Sequence, residues 1–313
     1  VPRLDLPSKL DGSANFAGDV RLPDMVFAAI RQGPIGDTRL KSFNRQGAAK
    51  ITGFIDVVKG ETWIAAVATN WWAANRALDK MSPVFETKGF LPDSDRIDTA
   101  LQAALDDGEG TRFVSRGETK GVFQKDNSVR ARYHADAAIH APIETRTATA
   151  DYKDGGLELW MATQAPVAAV QAAARALNIG QDRVTLYPML SGGSFDRNLD
   201  NDIAGQVALI ARQMERPVQL VWSRAEDLMH DHYRAPSQAR LDAAMAKAGR
   251  VEALQIKIAA PPSSREQVRR LFEGMDNVEA MRSSIGEADI KAIAGLDVPY
   301  DIPNLTVDHH SAF

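Results

Sequence analysis

Cysteine is absent from all 313 residues. That excludes disulfides, a thiolate nucleophile, Cys-ligated zinc and Cys-ligated iron–sulfur clusters from this chain. The redox compartment stays open, because a cysteine-free protein is compatible with either environment. A basic excess is missing too: 37 Lys and Arg stand against 41 Asp and Glu, for a net charge of −4 and a pI of about 5.9. The cations are scattered, so there is no electrostatic footprint for nucleic acid. No run approaches the roughly 20 apolar residues of a membrane-spanning helix. At 44% hydrophobic and 25% charged residues, the composition excludes long-range disorder. The chain starts Val1-Pro2-Arg3, without Met or a signal-peptide pattern, and stops on what reads as a strand, Asn304–His310. Both ends read as cut.

What is present suffices for two ordinary domains. Residues 1–88 hold β-type runs at Met25–Ile30, Ile51–Val58 and Thr62–Ala68, and Lys59-Gly60 predicts a hairpin between the last two. Trp71–Met81 follows as a helix with an Ala-rich stripe, one Trp ring in the core and the other at the surface. Residues 89–126 are polar, with one helix over Asp95–Asp106, and read as a connecting segment. Asp106-Asp107 is a solvated loop on this reading. From 127 to 313 the pattern predicts strands at Val129–Asp136, Leu157–Met161, Arg183–Tyr187 and Val218–Trp222. Helices are expected from Pro166 to Leu177 and from Asp202 to Gln213, giving a β-α-β-α-β alternation. Propensity favours a helix over Ser237–Lys247, whereas the Gly249-Arg250 turn before Val251–Ile258 argues for a hairpin. Helical spacing recurs at Val268, Leu271 and Met275.

The segment richest in chemistry is Met189-Leu190-Ser191-Gly192-Gly193-Ser194-Phe195-Asp196. Adjacent glycines after a strand allow positive φ and a close backbone approach to a ligand, and successive N–H groups there can cradle oxyanions. Gln164 stands at the C-terminal end of the preceding strand, where ligands sit in α/β architecture. The plainer alternatives are an ordinary turn and a Gln164 that caps the helix starting at Pro166. His230-Asp231-His232 and Asp308-His309-His310 do not put two imidazoles on one helical face, so no metal ligands are assigned. Asp196, Asp200 and Asp202 lack an EF-hand pattern and read as capping of the helix near Asp202.

Trp160-Met161-Ala162-Thr163-Gln164-Ala165-Pro166, then a helix, a strand and Gly192-Gly193-Ser194-Phe195, resembles the molybdopterin-binding large subunit of the xanthine dehydrogenase/aldehyde oxidoreductase family. The branch of isoquinoline 1-oxidoreductase β subunits and membrane-linked aldehyde dehydrogenases is the most similar. His140-Ala141-Pro142-Ile143-Glu144 and Arg216-Pro217-Val218 through Trp222-Ser223-Arg224-Ala225-Glu226-Asp227 resemble further family segments. Leu6–Ala14 followed by Asp19–Pro23 is similar to the opening of the family's a/b hammerhead domain.

The resemblance implies an α+β fold: a hammerhead domain over 1–88, the connection 89–126, and the first molybdopterin-binding domain over 127–313. It implies molybdopterin cytosine dinucleotide with molybdenum, held by Gln164, Gly192, Gly193, Ser194 and Phe195, with Gln164 hydrogen-bonding an oxo ligand of the metal. The implied reaction is hydroxylation of an aldehyde or N-heteroaromatic with water-derived oxygen. The family's catalytic Glu lies near the subunit's C-terminal end, so no residue here is assigned as base, and the fragment alone is expected to be inactive. A small [2Fe-2S] subunit and a cytochrome c subunit are the implied partners, and a periplasmic or membrane-associated setting is the family's habit. This chain departs from the family at Ser194 and Asp196, which replace glycines and bring side chains that crowd a backbone-to-ligand contact. Thr145 stands where the family has Pro, and Leu199 where purine-hydroxylating members carry Glu, which argues against a xanthine-like substrate. A relative that kept the fold and lost the cofactor, acting as a binding or scaffold module, is the second reading.

Overall fold

The computed structural model describes residues 3–89, 93–119, 121–124, 128–246, 249–296 and 298–312. Val1-Pro2, part of the start that reads as cut, and Asn127, the expected domain start, lie outside the described residues. In chain order the first strands are β1 Val26–Gln32, β2 Asp37–Ser42, β3 Phe54–Lys59, β4 Trp63–Ala68, β5 Val84–Lys88, β6 Thr111–Arg116 and β7 Ser128–Ala135. They are followed by β8 Thr147–Lys153, β9 Gly156–Met161, β10 Val184–Pro188, β11 Val218–Val221, β12 Ser237–Met245, β13 Val251–Ala260 and β14 Asn304–Ser311. The mixture of helix and sheet is the α+β class expected.

Two compact units cut across the sequential boundaries at 88 and 127: one comprises Val1–Gly89 with Ile139–His232, the other Phe90–Ala138 with Tyr233–Phe313. The first is built on a seven-stranded sheet in the order β10-β9-β8-β11-β1-β4-β3. The expected hairpin is there, with β3 and β4 antiparallel. The alternation β9-helix-β10 is there as a parallel pair. β11 instead pairs with β8 and, in parallel, with β1. This long-range pairing places the early strands in the same sheet as the later ones.

Strand periodicity explains the sheet's two-sided burial. In β4, Ala65 and Val67 join one apolar cluster while Ile64, Ala66 and Ala68 join another. The first cluster takes Ala169, Ala173 and Leu177 from the helix Pro166–Leu177, and Ile203, Val207 and Ile210 from the helix Asp202–Met214. The second takes Ala73, Ala77, Leu78 and Met81 from the helix Trp71–Met81. Alanines at these contacts let helices lie close to the sheet. As expected, the two adjacent tryptophans part: Trp71 donates from Nε1 to the Val221 carbonyl at 2.9 Å, and Trp72 is exposed.

The second unit is a five-stranded sheet, β6-β14-β13-β12-β7. β12 and β13 pair antiparallel, so pairing overrides the helical propensity. The 89–126 stretch is more than a connection. Its helix Ser94–Asp107 packs Leu101 and Leu105 against Ala259 and Ala312, and its strand β6 pairs with β14. Asp106 lies in the last turn of that helix, ion-paired with Arg132 and Arg240, instead of in a solvated loop. β13 and β14 are parallel, and parallel neighbours need a long crossover. The helices Ser263–Val268 and Asn277–Ser284 lie in it.

Candidate cofactor site

The site lies in the first unit, at the common end of β9 and β10. These run parallel, with Leu186 beside Leu159 and Pro188 beside Met161, so the segments leaving both strands emerge together. That sheet end is where α/β folds gather ligand groups. The Met189 N–H bonds the Met161 carbonyl at 3.0 Å, and the Gln164 N–H bonds the Asn198 carbonyl at 2.8 Å. The two segments are thereby stitched together.

Gln164 meets the Gly-rich loop through its side chain. Ser194 Oγ donates to Gln164 Oε1, and Gln164 Nε2 donates to Asp196 Oδ1 at 3.5 Å. The alternative in which Gln164 caps the following helix is not what is found. Ala165 is the N-cap, and its N–H goes to Thr163 Oγ1 at 3.0 Å. Nor do Ser194 and Asp196 simply crowd the loop face, because both side chains turn to the Gln164 amide. Asp202 is likewise no cap; it opens its helix after Asn201 and places a carboxylate in the first turn, where the helix dipole favours it.

The loop's backbone is unusual. Gly193 has φ 99°, and Phe195 and Asp196 follow at φ 55° and 81°. Aspartate tolerates this region, whereas a phenylalanine there is an outlier worth explaining by function. Ser194 is outside the positive-φ set, so a side chain at that position costs no backbone strain. The Phe195 ring is 60% exposed. Gly192 has a further use: a Cβ there would sit 2.6 Å from the Glu144 Cβ, so its bareness admits Glu144.

Glu144 locks the loop from behind. Its Oε2 accepts the Gly192 N–H at 2.9 Å and its Oε1 accepts the Gly18 N–H at 3.1 Å, while its own N–H bonds the Gly192 carbonyl at 3.0 Å. Below lies a buried charged floor that nothing in the sequence announces locally. Arg197, 1% exposed, sets its Nε 3.3 Å from both Asp227 Oδ1 and Asp231 Oδ1. Its guanidinium lies over the Trp222 ring, 5.5 Å from the centroid. The His140 Nδ1–H donates to Asp231 at 2.8 Å, and Arg224 donates to Asp227 at 3.0 Å and to the Ile143 carbonyl at 2.6 Å. Arg146 holds the Arg197 carbonyl at 3.1 Å, the Asn198 side chain at 2.9 Å and the Asp200 carbonyl.

Burial, reinforced by the like charge of Arg197, lowers the Arg146 guanidinium to about 10, which leaves it charged at neutral pH. Burial pushes the carboxyls of Glu226 and Asp227 up, against the pull of His230 on the first and Arg197 on the second. The sequence-level sign of this floor was the acidic pair Glu226-Asp227 just after an apolar strand, read only as part of a resemblance. His230 and His232 serve the same scaffold: His230 Nε2 lies 2.9 Å from the Gly33 carbonyl, and His232 faces Asp202 at 3.4 Å.

The donor set suits a flat, anionic group with hydrogen-bond acceptors. Gln164 has two N–H groups and spends one on Asp196. Among the described residues, the backbone N–H groups of Gly193 and Ser194 meet no acceptor. Exposed Phe195 supplies an apolar face beside them. Gln164, Gly193, Ser194 and Phe195 therefore fit a cofactor of the pterin type, with Gly192 acting one step behind.

The family model for the molybdopterin cofactor-binding domain matches residues 105–264, about half of the chain. The chain belongs to that family. Among its curated relatives, isoquinoline 1-oxidoreductase subunit beta of Brevundimonas diminuta is 26% identical, over 98% of this chain and 40% of that protein. The membrane-bound aldehyde dehydrogenase of Gluconacetobacter polyoxogenes is 26% identical, over 82% of this chain and 35% of its own length. In fold the chain is similar to the aldehyde oxidoreductase of Desulfovibrio gigas, with a TM-score of 0.71 at 17% identity over 99% of this chain and 38% of the other. The chain thus spans less than half the length of these relatives.

Proposed function

We propose that this chain is the part of a molybdenum hydroxylase large subunit that carries Gln164 and the 192–196 loop to the cofactor, in an enzyme that hydroxylates an aldehyde or an N-heteroaromatic compound with water-derived oxygen. The observation that carries this reading is the meeting of the Gln164 amide with the Gly-rich loop at the shared end of β9 and β10. The names of the isoquinoline and aldehyde relatives support the substrate class. Leu199, in place of an acidic side chain, supports an apolar substrate over a purine.

The cofactor of this reading is molybdopterin, as the cytosine dinucleotide, with molybdenum; when bound it supplies the centre that accepts the substrate's two electrons. The chain's own residues bind and orient. Gln164 offers its second N–H, Gly193 and Ser194 offer backbone N–H groups, and Phe195 shields the site from water. Glu144 holds two backbone N–H groups and Asp196 faces the Gln164 amide. The family resemblance assigns the base to a later part of the subunit, and electron transfer to a [2Fe-2S] subunit and a cytochrome c subunit.

Metal and pterin analysis of the complete subunit, expressed with its partners under cofactor-replete conditions, tests this reading. Stoichiometric molybdenum and pterin are expected. Their absence under those conditions would overturn the enzyme reading in favour of a cofactor-free module.

A further inference from the structure

We infer that Ser194 and Asp196 are positioning residues that fix which way round the Gln164 amide is held, so that Gln164 meets the bound cofactor as a hydrogen-bond donor. The inference rests on the function proposed above and adds a role for the two loop residues.

The two ends of a glutamine amide are nearly equal in size, so its orientation is set by the groups it faces. Here Asp196 discriminates between the two ends, and Ser194 favours the same one by donating to Gln164 Oε1. Ser194 Oγ accepts the Asn198 N–H at 3.3 Å, which leaves its hydroxyl hydrogen to donate, and the atom it meets is Gln164 Oε1. Ionised Asp196 can only accept, and it faces Gln164 Nε2 at 3.5 Å. A flipped amide would turn the Gln164 carbonyl toward the Asp196 carboxylate, which repels it. The Ser194 hydroxyl, with a second lone pair open, could still accept a Gln164 N–H, but its own hydrogen would lose the Gln164 carbonyl as acceptor.

The backbone is held independently, because the Gln164 N–H bonds the Asn198 carbonyl at 2.8 Å. Ser194 and Asp196 therefore act on the side chain and not on the path of the backbone. With one N–H given to Asp196, the second is left for an acceptor on the cofactor. Glycines at both positions would leave that choice unmade. Asp196, which can only accept, discriminates between the amide ends, and Ser194 adds the hydrogen bond that only this orientation lets it donate to the amide.

The test uses the complete subunit with its partners and compares wild type, Ser194→Ala and Ser194→Thr. Molybdenum content is measured first, then the electron paramagnetic resonance spectrum of the partly reduced metal centre, then KM and kcat. All three proteins are expected to hold the metal. Ser194→Ala should give a shifted or doubled signal and a kcat reduced roughly 3- to 10-fold at unchanged KM, the loss expected of one neutral hydrogen bond. Ser194→Thr, which keeps the hydroxyl, should restore both. A metal-loaded Ser194→Ala protein with the wild-type spectrum would overturn the inference. So would a Ser194→Ala protein that loses the metal while Ser194→Thr keeps it, since Ser194 would then be a binding residue. Metal-free wild type would instead overturn the proposed function itself, which separates the two failures.

Discussion

Replacing Arg197 by Met removes the one cation that lies between Asp227 and Asp231 beneath the loop. The volume is roughly kept, so the change is mainly one of charge. Arg197 is 1% exposed, as are both carboxylates, and its Nε is 3.3 Å from each. Burial already pushes the Asp227 carboxyl up, and Arg197 is the largest influence opposing that shift. A buried charge left wholly unpaired costs about 3–5 kcal/mol, and because Asp227 keeps Arg224 and Asp231 keeps His140 the loss lies toward the lower end of that range. For a unit in the 150–250-residue range this lowers Tm by roughly 6–20 °C.

Thermal and urea unfolding of the complete subunit would measure the loss, with the triple variant Arg197→Met/Asp227→Asn/Asp231→Asn as control. The triple variant should recover most of the stability, because His140 and Arg224 then face neutral amide oxygens and no buried carboxylate is stranded. The pH dependence gives an internal check. A carboxylate whose folded pKa is raised contributes stability that is present below its unfolded pKa and lost as pH rises through the folded value. Arg197→Met should therefore regain stability as pH falls toward about 5, more than wild type does. A loss under about 1 kcal/mol that does not vary with pH would refute the reasoning.

Gly192→Ala forces a Cβ to within 2.6 Å of the Glu144 Cβ and should cost about 1–3 kcal/mol, visible as displacement of residues 142–144 in a crystal structure. Glu144→Ala strips the acceptor from the Gly18 and Gly192 N–H groups and should cost about 1–3 kcal/mol in urea unfolding, while Glu144→Gln, which keeps one acceptor oxygen, should cost less. In the second unit, burial pulls His309 and His310 down. A histidine with a lowered folded pKa contributes stability that is present above its unfolded value and lost as pH falls through the folded one. Urea unfolding should thus show this unit weakening below about pH 6.5, by at most about 1.4 kcal/mol per pH unit for each histidine. His309→Asn should flatten that slope, and an unchanged slope would exclude the His309 pocket, where the ring lies 3.2 Å from the Asp289 N–H and 3.1 Å from the Ala260 carbonyl.

Local signals carried much of this fold. The β3–β4 hairpin follows from the three-residue polar break Lys59-Gly60-Glu61 between apolar runs, and the helix from Trp71 to Met81 follows from its stripe and its Asn70 cap. β8 escaped notice because its alternation is blurred. Thr149 is fully buried in it, and the fixed partner of that hydroxyl is Gln219 Nε2, at 3.2 Å from far along the chain. The interleaving of the two units escaped notice for a similar reason, since the pairing of Val26 with Val218 leaves no mark on either neighbourhood.

At the site, Gln164 and the glycine loop were legible as a strand end beside a turn. The floor of Arg146, Arg197, Asp227 and Asp231 was not. Charged residues are read as surface unless paired, and these pairs form only after folding. Ser194 and Asp196 read as obstructions in the sequence for the same reason, since their contacts with the Gln164 amide arise only in the fold.

The central claim is that Gln164 and the 192–196 loop face one molybdenum-bearing pterin. Crystals of the complete, cofactor-loaded subunit, measured on both sides of the molybdenum absorption edge, test it most directly. The account predicts a single anomalous peak with the pterin against the 192–196 backbone and a ligand of the metal within hydrogen-bond reach of Gln164 Nε2. A peak lodged elsewhere in the subunit, with Gln164 and Ser194 still bonded to each other but facing only protein or solvent, would contradict it.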